Sequence, residues 1–205
     1  MQHYTTLVNR EHPLDACYVP EDLAVCRFPF CAEVGEEKRM LCRAAAEAAG
    51  RLIEYGKSFG HLLFGISGYR SYQRQKEIYE TRMKESPAAE VELYVARPGA
   101  SEHQTGLALD VSAPSVGLEL EEIFGETPEG KWLAVYAPMF GFIIRYPKGK
   151  EEITGYAYEP WHIRYVGVTV ATYLYKNKLT LEEYYGVSCN EDETQTGVDV
   201  EDPNE

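Results

Sequence analysis

Two short segments constrain this chain more than anything else in it. The first reads Ser101-Glu102-His103-Gln104-Thr105-Gly106-Leu107-Ala108-Leu109-Asp110, and the second Glu159-Pro160-Trp161-His162-Ile163-Arg164-Tyr165-Val166. His103, Asp110 and His162 form a borderline-soft N/O donor set that suits Zn²⁺, and three protein ligands leave a fourth position for water. Zinc brings the pKa of such a water to roughly 7, which makes a hydroxide-like nucleophile available at neutral pH. Glu159 stands just before His162, within reach of the same site, and is the carboxylate to take the proton. The outline is a hydrolase, and a fold that serves it has to bring the two segments side by side.

No member of this set is diagnostic alone. A single histidine is more often a hydrogen-bonded core residue than a ligand. The step from His103 to Asp110 shares a face only on a helix, and Gly106 argues for a turn into a strand instead. The joint pattern carries the reading. His12 and His61 have no acidic neighbour in any motif, and His61 opens an apolar strand.

Bulk properties exclude several classes. With 44% hydrophobic and 26% charged residues over 205 positions, the chain reads as an ordinary soluble globular protein of one domain. No run approaches the ~20 apolar residues that span a bilayer. The start, Met1-Gln2-His3-Tyr4-Thr5-Thr6, has neither a basic region nor an apolar one, so it is not expected to act as a signal peptide. If Met1 is the natural start, a cytoplasmic protein is expected; otherwise the cell envelope or the exterior. Five cysteines without a Cys-x-x-Cys pair fit unpaired thiols better than a disulfide framework. Of the formal charge of −13, seven acidic residues lie between Glu191 and Glu205 with no Lys or Arg among them, leaving −6 for the rest. Residues 189–205 are therefore expected as a disordered acidic tail. An acidic chain also argues against nucleic acid as a partner, because phosphate contacts demand a basic face.

Along the chain, residues 1–35 are Pro-rich and aperiodic, the expectation for an extended arm packed on a domain spanning 36–188. Met40, Ala44, Ala48 and Leu52 predict one helical face over Glu36 to about Tyr55. His61 to Ser67 reads as a buried strand that Gly68 breaks. Ser71 is an N-cap for a helix to about Glu85, with Tyr72, Gln75, Tyr79 and Met83 on one face. Pro87 to Gly99 reads as a loop, and Leu107 to Val111 as a strand carrying Asp110. Trp132, Val135, Tyr136 and Met139 predict a third helix ended by Gly141. Phe142 to Tyr146 and Trp161 to Val166 read as strands and Val168 to Lys178 as a helix. Thr180 with Glu183 forms a capping box. Helices first, strands later and no regular βαβ rhythm give an α+β class.

The pattern Ser-x-His-x-x-Gly-x-Ala-x-Asp followed by Glu-x-Trp-His resembles the zinc D-alanyl-D-alanine carboxypeptidases and dipeptidases of the VanY, VanX and VanXY type. That family also includes L,D-carboxypeptidases of cell-wall turnover. Ser67-Gly68-Tyr69-Arg70-Ser71 is similar to its Ser-Gly-Tyr-Arg-Ser segment, Leu7-Val8-Asn9-Arg10-Glu11-His12-Pro13-Leu14 and Tyr18-Val19-Pro20 to its opening, and Thr180-Leu181-Glu182-Glu183-Tyr184 to its close. The resemblance implies helices packed on a small antiparallel sheet, with zinc in an open cleft held by His103, Asp110 and His162. It implies Glu159 as the catalytic acid–base and Arg70 as a substrate contact. It places Gln75 and Ser101 near the substrate's terminal carboxylate and gives Glu102, Gln104 and Thr105 no role.

Arg70 also earns its role from its own position. A strand-to-helix junction is a rigid place to aim a guanidinium, and its planar fork suits a carboxylate or a developing oxyanion. The implied activity is removal of C-terminal D-alanine from peptidoglycan precursor peptides. The alternatives are a D-Ala-D-Ala dipeptidase, a bifunctional enzyme of the VanXY type, or an L,D-carboxypeptidase on tetrapeptide stems. A non-enzymatic binding module should have lost a ligand or Glu159, and all are present.

Overall fold

A computed structural model describes residues 4–187; the acidic stretch from Glu191 and the fifth cysteine, Cys189, lie outside them. A short antiparallel ribbon pairs β1 (Leu23–Val25) with β2 (Met40–Cys42). The main sheet has four strands, β3 (Phe64–Ser67), β4 (Ala108–Ser112), β5 (Phe142–Tyr146) and β6 (Glu159–Tyr165). Their order is β3-β4-β6-β5, with every neighbour antiparallel. Seven helices complete an α+β fold among the described residues: α1 (Arg43–Ser58), α2 (Tyr72–Glu85), α3 (Ala88–Tyr94), α4 (Pro128–Tyr136), α5 (Glu151–Thr154), α6 (Val168–Asn177) and α7 (Leu181–Tyr185).

Period-2 alternation gives the sheet two different faces. Leu109, Val111, Phe142 and Ile163 point to one side and pack with Ala45, Ala48, Ala49, Leu52 and Ile53 of α1 and with Trp132 and Leu133 of α4. Full burial of each such Leu, Ile or Phe contributes roughly 1.5–3 kcal/mol. The alanine face of α1 lets its backbone lie close to the strands. On the other side Ile143 joins Ala171, Leu174 and Leu181 of α6 and α7, leaving the rest of that face for polar side chains.

Three sequence expectations need correction. The helix expected from Glu36 begins at Arg43, because Met40-Leu41-Cys42 is taken by pairing with Leu23–Val25 after a 3₁₀ turn at Glu37–Arg39. Non-local pairing overrode the local alanine periodicity, and the buried face is Ala45, Ala48, Ala49, Leu52, Ile53 and Gly56. The stretch read as the loop Pro87–Gly99 contains α3, started by Pro87 and buried through Val91. In the third helix, Val135 and Met139 face outward at 49% and 58% exposure, while Trp132, Leu133 and Ala137 face in. The chain changes to a 3₁₀ turn at Ala137–Phe140, which shifts the face, before Gly141 ends it at φ +89°. Two helix caps stand as read. Ser71 Oγ accepts from Arg74 N at 3.3 Å, and Thr180 and Glu183 cap each other at 3.2 and 2.7 Å.

Candidate metal centre

Cross-strand register assembles the site. Asp110 on β4 pairs directly with His162 on β6, and Ser67 on β3 pairs with Asp110, so the three form a row across the sheet. Glu159 opens β6 opposite Tyr146 of β5. His103 arrives from the 3₁₀ turn Glu102–Thr105, which ends at Gly106 with φ +67°. A Cβ there would meet Cys42 Sγ at 2.9 Å, so glycine is required by both conformation and space. The chain thus turns sharply from His103 into β4, and ligand atoms of His103, Asp110 and His162 all lie within 4.8 Å of one another.

The hydrogen bonds show why this cluster wants a cation. His103 Nδ1 lies 2.7 Å from the carbonyl oxygen of Gly68, which can only accept, so Nδ1 carries the proton. His103 Nε2 then faces Asp110 Oδ2 at 3.2 Å. Burial holds the His103 pKa below its ordinary value, although Asp110 pulls it the other way. A neutral imidazole lone pair and a carboxylate oxygen therefore confront each other out of water, at 5% and 4% exposure. A positive ion between them relieves both. His162 presents Nδ1 to Asp110 Oδ1 at 2.9 Å. Burial opposes charge on His162, but Asp110, Glu102 and Glu159 outweigh it and push its pKa up to about 9. The two imidazoles stand nearly perpendicular, ring centroids 5.0 Å apart. The donor set and its spacing fit zinc.

Glu159 lies beside this cluster without joining the tight set, its Oε2 3.9 Å from His162 Nδ1. Burial is the main cause that raises its pKa to about 8; Asp110 adds to the rise and His162 opposes it. Such a carboxyl suits proton transfer near neutrality. A cleft of about 620 Å³ opens over these residues and is also lined by Arg70, Gln75, Ser101, Tyr146, Tyr156 and Trp161. Arg70 is braced by its neighbours: Nη1 donates to Gln75 Oε1 at 2.8 Å and Nη2 to Ser67 Oγ at 3.1 Å. Gln75 gives its other end to the carbonyl of Ala96 at 2.7 Å. Both ends of the Gln75 amide are thus engaged within the protein. Ser101, at 4% exposure, lies in the cleft wall. Among the described residues the other two histidines stay apart, His12 against Asn9 Oδ1 at 3.0 Å and His61 against the Trp132 ring at 5.6 Å.

Sequence reasoning missed the residues behind the candidate ligands. Glu102, read as without a role, is fully buried with Arg145, Arg164 and Glu182. Gln104 also has a job, donating to the carbonyls of Asp15 and Tyr18 at 2.9 and 3.2 Å and so tying residues 15–18 to the ligand turn. Thr105 Oγ1 accepts from Leu107 N at 2.9 Å inside the turn. The available signal was a charge inside an apolar strand. Arg145 in Phe-Ile-Ile-Arg-Tyr and Arg164 in Trp-His-Ile-Arg-Tyr are tolerable there only with buried acids opposite.

A family model described as VanY, D-alanyl-D-alanine carboxypeptidase, matches residues 38–168. The chain belongs to the VanY family. YodJ of Bacillus subtilis (strain 168) is 46% identical over 184 residues, 90% of this chain and 67% of that protein. The bifunctional D-Ala-D-Ala dipeptidase and D-Ala-D-Ala carboxypeptidase VanXYC of Enterococcus gallinarum is 35% identical over 192 residues, 87% of this chain and 92% of that protein. Among solved structures, the LdcB LD-carboxypeptidase superposes with a TM-score of 0.84 at 46% identity, covering 89% of this chain and 85% of that one. The D,D-pentapeptidase VanY of a VanB-type resistance cassette, solved in complex with Zn(II), gives a TM-score of 0.70 at 36% identity, covering 89% of this chain and 98% of that one. This chain therefore has the α+β architecture of the VanY fold. Among the described residues no helix is long and apolar enough to cross a membrane.

Proposed function

We propose that this chain is a zinc carboxypeptidase that removes the C-terminal D-alanine from peptidoglycan precursor peptides. The observation that carries the proposal is the His103–Asp110–His162 cluster with Glu159 at its edge in a cleft. His103, Asp110 and His162 would hold zinc, which supplies a Lewis acid and brings the pKa of water to roughly 7. Glu159 takes the water's proton on its carboxylate and returns it to the leaving amine. Its burial supports that role, because a carboxyl near pH 8 without the cation becomes a competent base beside one. Arg70, held flat by Gln75 and Ser67, offers its remaining N–H groups to the substrate carboxylate or the developing oxyanion. Gln75 acts through Arg70, and Ser101 adds a hydroxyl in the wall. Trp161 and Tyr146 shape the cleft and limit water in it. A free chain end is what such an anion-reading cleft selects, hence an exopeptidase.

The likeness to LdcB supports a second reading, an L,D-carboxypeptidase on tetrapeptide stems. One experiment separates them: amino-acid release by the zinc-loaded protein from D-Ala-D-Ala, a pentapeptide stem and a tetrapeptide stem. Release from the pentapeptide alone supports D,D-carboxypeptidase activity. Release from the tetrapeptide alone supports the L,D reading, and release from the dipeptide a VanXY-type enzyme. Equal cleavage of a stem and its C-terminally amidated form would sink the carboxypeptidase reading in favour of an endopeptidase.

A further inference from the structure

We propose that Glu102 is a positioning residue for His162, set in a buried ion network whose outer members tie down both ends of the described chain. The proposal rests on the metal reading above. Glu102 Oε1 accepts from Arg145 Nε at 2.7 Å and from Arg164 Nη1 at 2.5 Å. That one oxygen satisfies both guanidinium contacts. Among the described residues the second oxygen, Oε2, is buried with no hydrogen-bond partner, and so is His162 Nε2; the two face each other at 3.6 Å. Both ring nitrogens of His162 face carboxylates, Nδ1 toward Asp110 and Nε2 toward Glu102. When a cation takes the Nδ1 lone pair beside Asp110, the imidazole keeps one proton, and Glu102 is the carboxylate that holds it on Nε2. An outer carboxylate that fixes the tautomer and orientation of a ligand histidine is a general means of tuning a metal site.

The network continues outward. Arg145 Nη1 and Nη2 grip Glu182 of α7 at 2.8 and 2.5 Å, and Arg164 Nη2 donates to the carbonyls of Tyr4 and Thr6 at 3.0 and 2.7 Å. All four charged side chains are fully buried, two cations against two anions. A purely stabilising role explains this poorly, because a buried ion network often contributes no more than well-packed apolar side chains would. Nor does it explain why a whole carboxylate oxygen is left to His162.

Matched substitutions test it. Glu102→Asp keeps the charge that both arginines need but withdraws the carboxylate from His162. Glu182→Asp makes the same change at the far end of the network. Zinc affinity is measured by chelator competition, Co²⁺-substituted protein is read by its visible absorption, and thermal unfolding of each chelator-treated chain reports stability. The expected result is zinc binding weakened roughly 10- to 100-fold in Glu102→Asp with shifted Co²⁺ bands. Glu182→Asp should lose Tm yet keep zinc affinity and Co²⁺ bands close to wild type. Zinc affinity equal to wild type in Glu102→Asp, or losses that track Tm alike in both variants, would overturn the proposal. ¹⁵N imidazole spectra of zinc-loaded wild type need no variant to fold. They should show His162 protonated at Nε2 and His103 at Nδ1, and an unprotonated His162 Nε2 overturns the proposal as well. If wild type binds no zinc at all, the metal reading itself fails.

Discussion

Replacing Glu159 by Gln should change how the stability of the zinc-free chain depends on pH. Burial is the main cause that lifts the Glu159 pKa from the ordinary 4.5 to about 8. The folded chain then keeps a proton on Glu159 that the unfolded chain releases, so stability falls as pH rises through that window. At about 1.4 kcal/mol per pH unit, a gap of about 3.5 units caps the loss at roughly 5 kcal/mol, with roughly 2 kcal/mol falling between about pH 5 and 6.5. Gln cannot ionise and should show none of it. Glu159→Gln should therefore match wild type within about 1 kcal/mol near pH 5 and exceed it by roughly 2–3 kcal/mol near pH 6.5.

His162 titrates in the same region and sets the choice of window. With its pKa pushed up to about 9, it contributes stability that is full below the ordinary 6.5 and is lost as pH rises through 9. Below about pH 6.5 that contribution is nearly complete in both chains, so the comparison there isolates Glu159. Urea unfolding in excess chelator, extrapolated linearly at several pH values, gives the two curves. Parallel curves would refute the reasoning, since they would mean that Glu159 ionises in the folded chain as freely as in water. Saturating zinc should bring the curves together, because a cation beside Asp110 makes the Glu159 carboxylate acceptable again.

Three further outcomes follow from the geometry. Arg70→Lys should keep zinc and Tm but lower kcat/KM on a free-carboxylate stem by more than ~10-fold, since a Lys ammonium cannot hold Gln75 and Ser67 and still present a planar fork; unchanged kinetics would remove Arg70 from substrate recognition. Gly68→Ala should cost roughly 2 kcal/mol or more in urea unfolding, because the new Cβ would sit 2.4 Å from the Met40 carbonyl oxygen and 2.9 Å from that of Lys38; it should also weaken zinc binding, as the Gly68 carbonyl orients His103. Among the described cysteines, iodoacetamide on the native chain should label exposed Cys31 first, then Cys17, whose thiol the Asp15 carboxylate holds up. Buried Cys42 and Cys26, the latter pushed by burial to about 12, should react only on unfolding.

The legible part of this molecule is the part in which chemistry demands particular residue types. The gathering of His103, Asp110 and His162, with Glu159 at its edge, could be read from the joint pattern of the two segments around Gly106 and Trp161. Strands β3 to β6 could be read from short apolar runs. What stayed hidden is set by partners distant in sequence. The ribbon strand Met40–Cys42 is decided by Leu23–Val25, so local alanine periodicity misassigned it to α1. Glu102 has no role legible in the sequence because its partners, Arg145, Arg164 and Glu182, come from β5, β6 and α7. Yet those arginines left a trace. A cation within an apolar strand has to find a buried anion, and a buried anion beside a ligand histidine has to face its free nitrogen. Followed in that order, the charges in Phe-Ile-Ile-Arg-Tyr and Trp-His-Ile-Arg-Tyr lead from the core back to His162. If His103, Asp110 and His162 hold zinc, their support is coded in the strands that carry the site, with Arg164 two positions beyond His162 on β6.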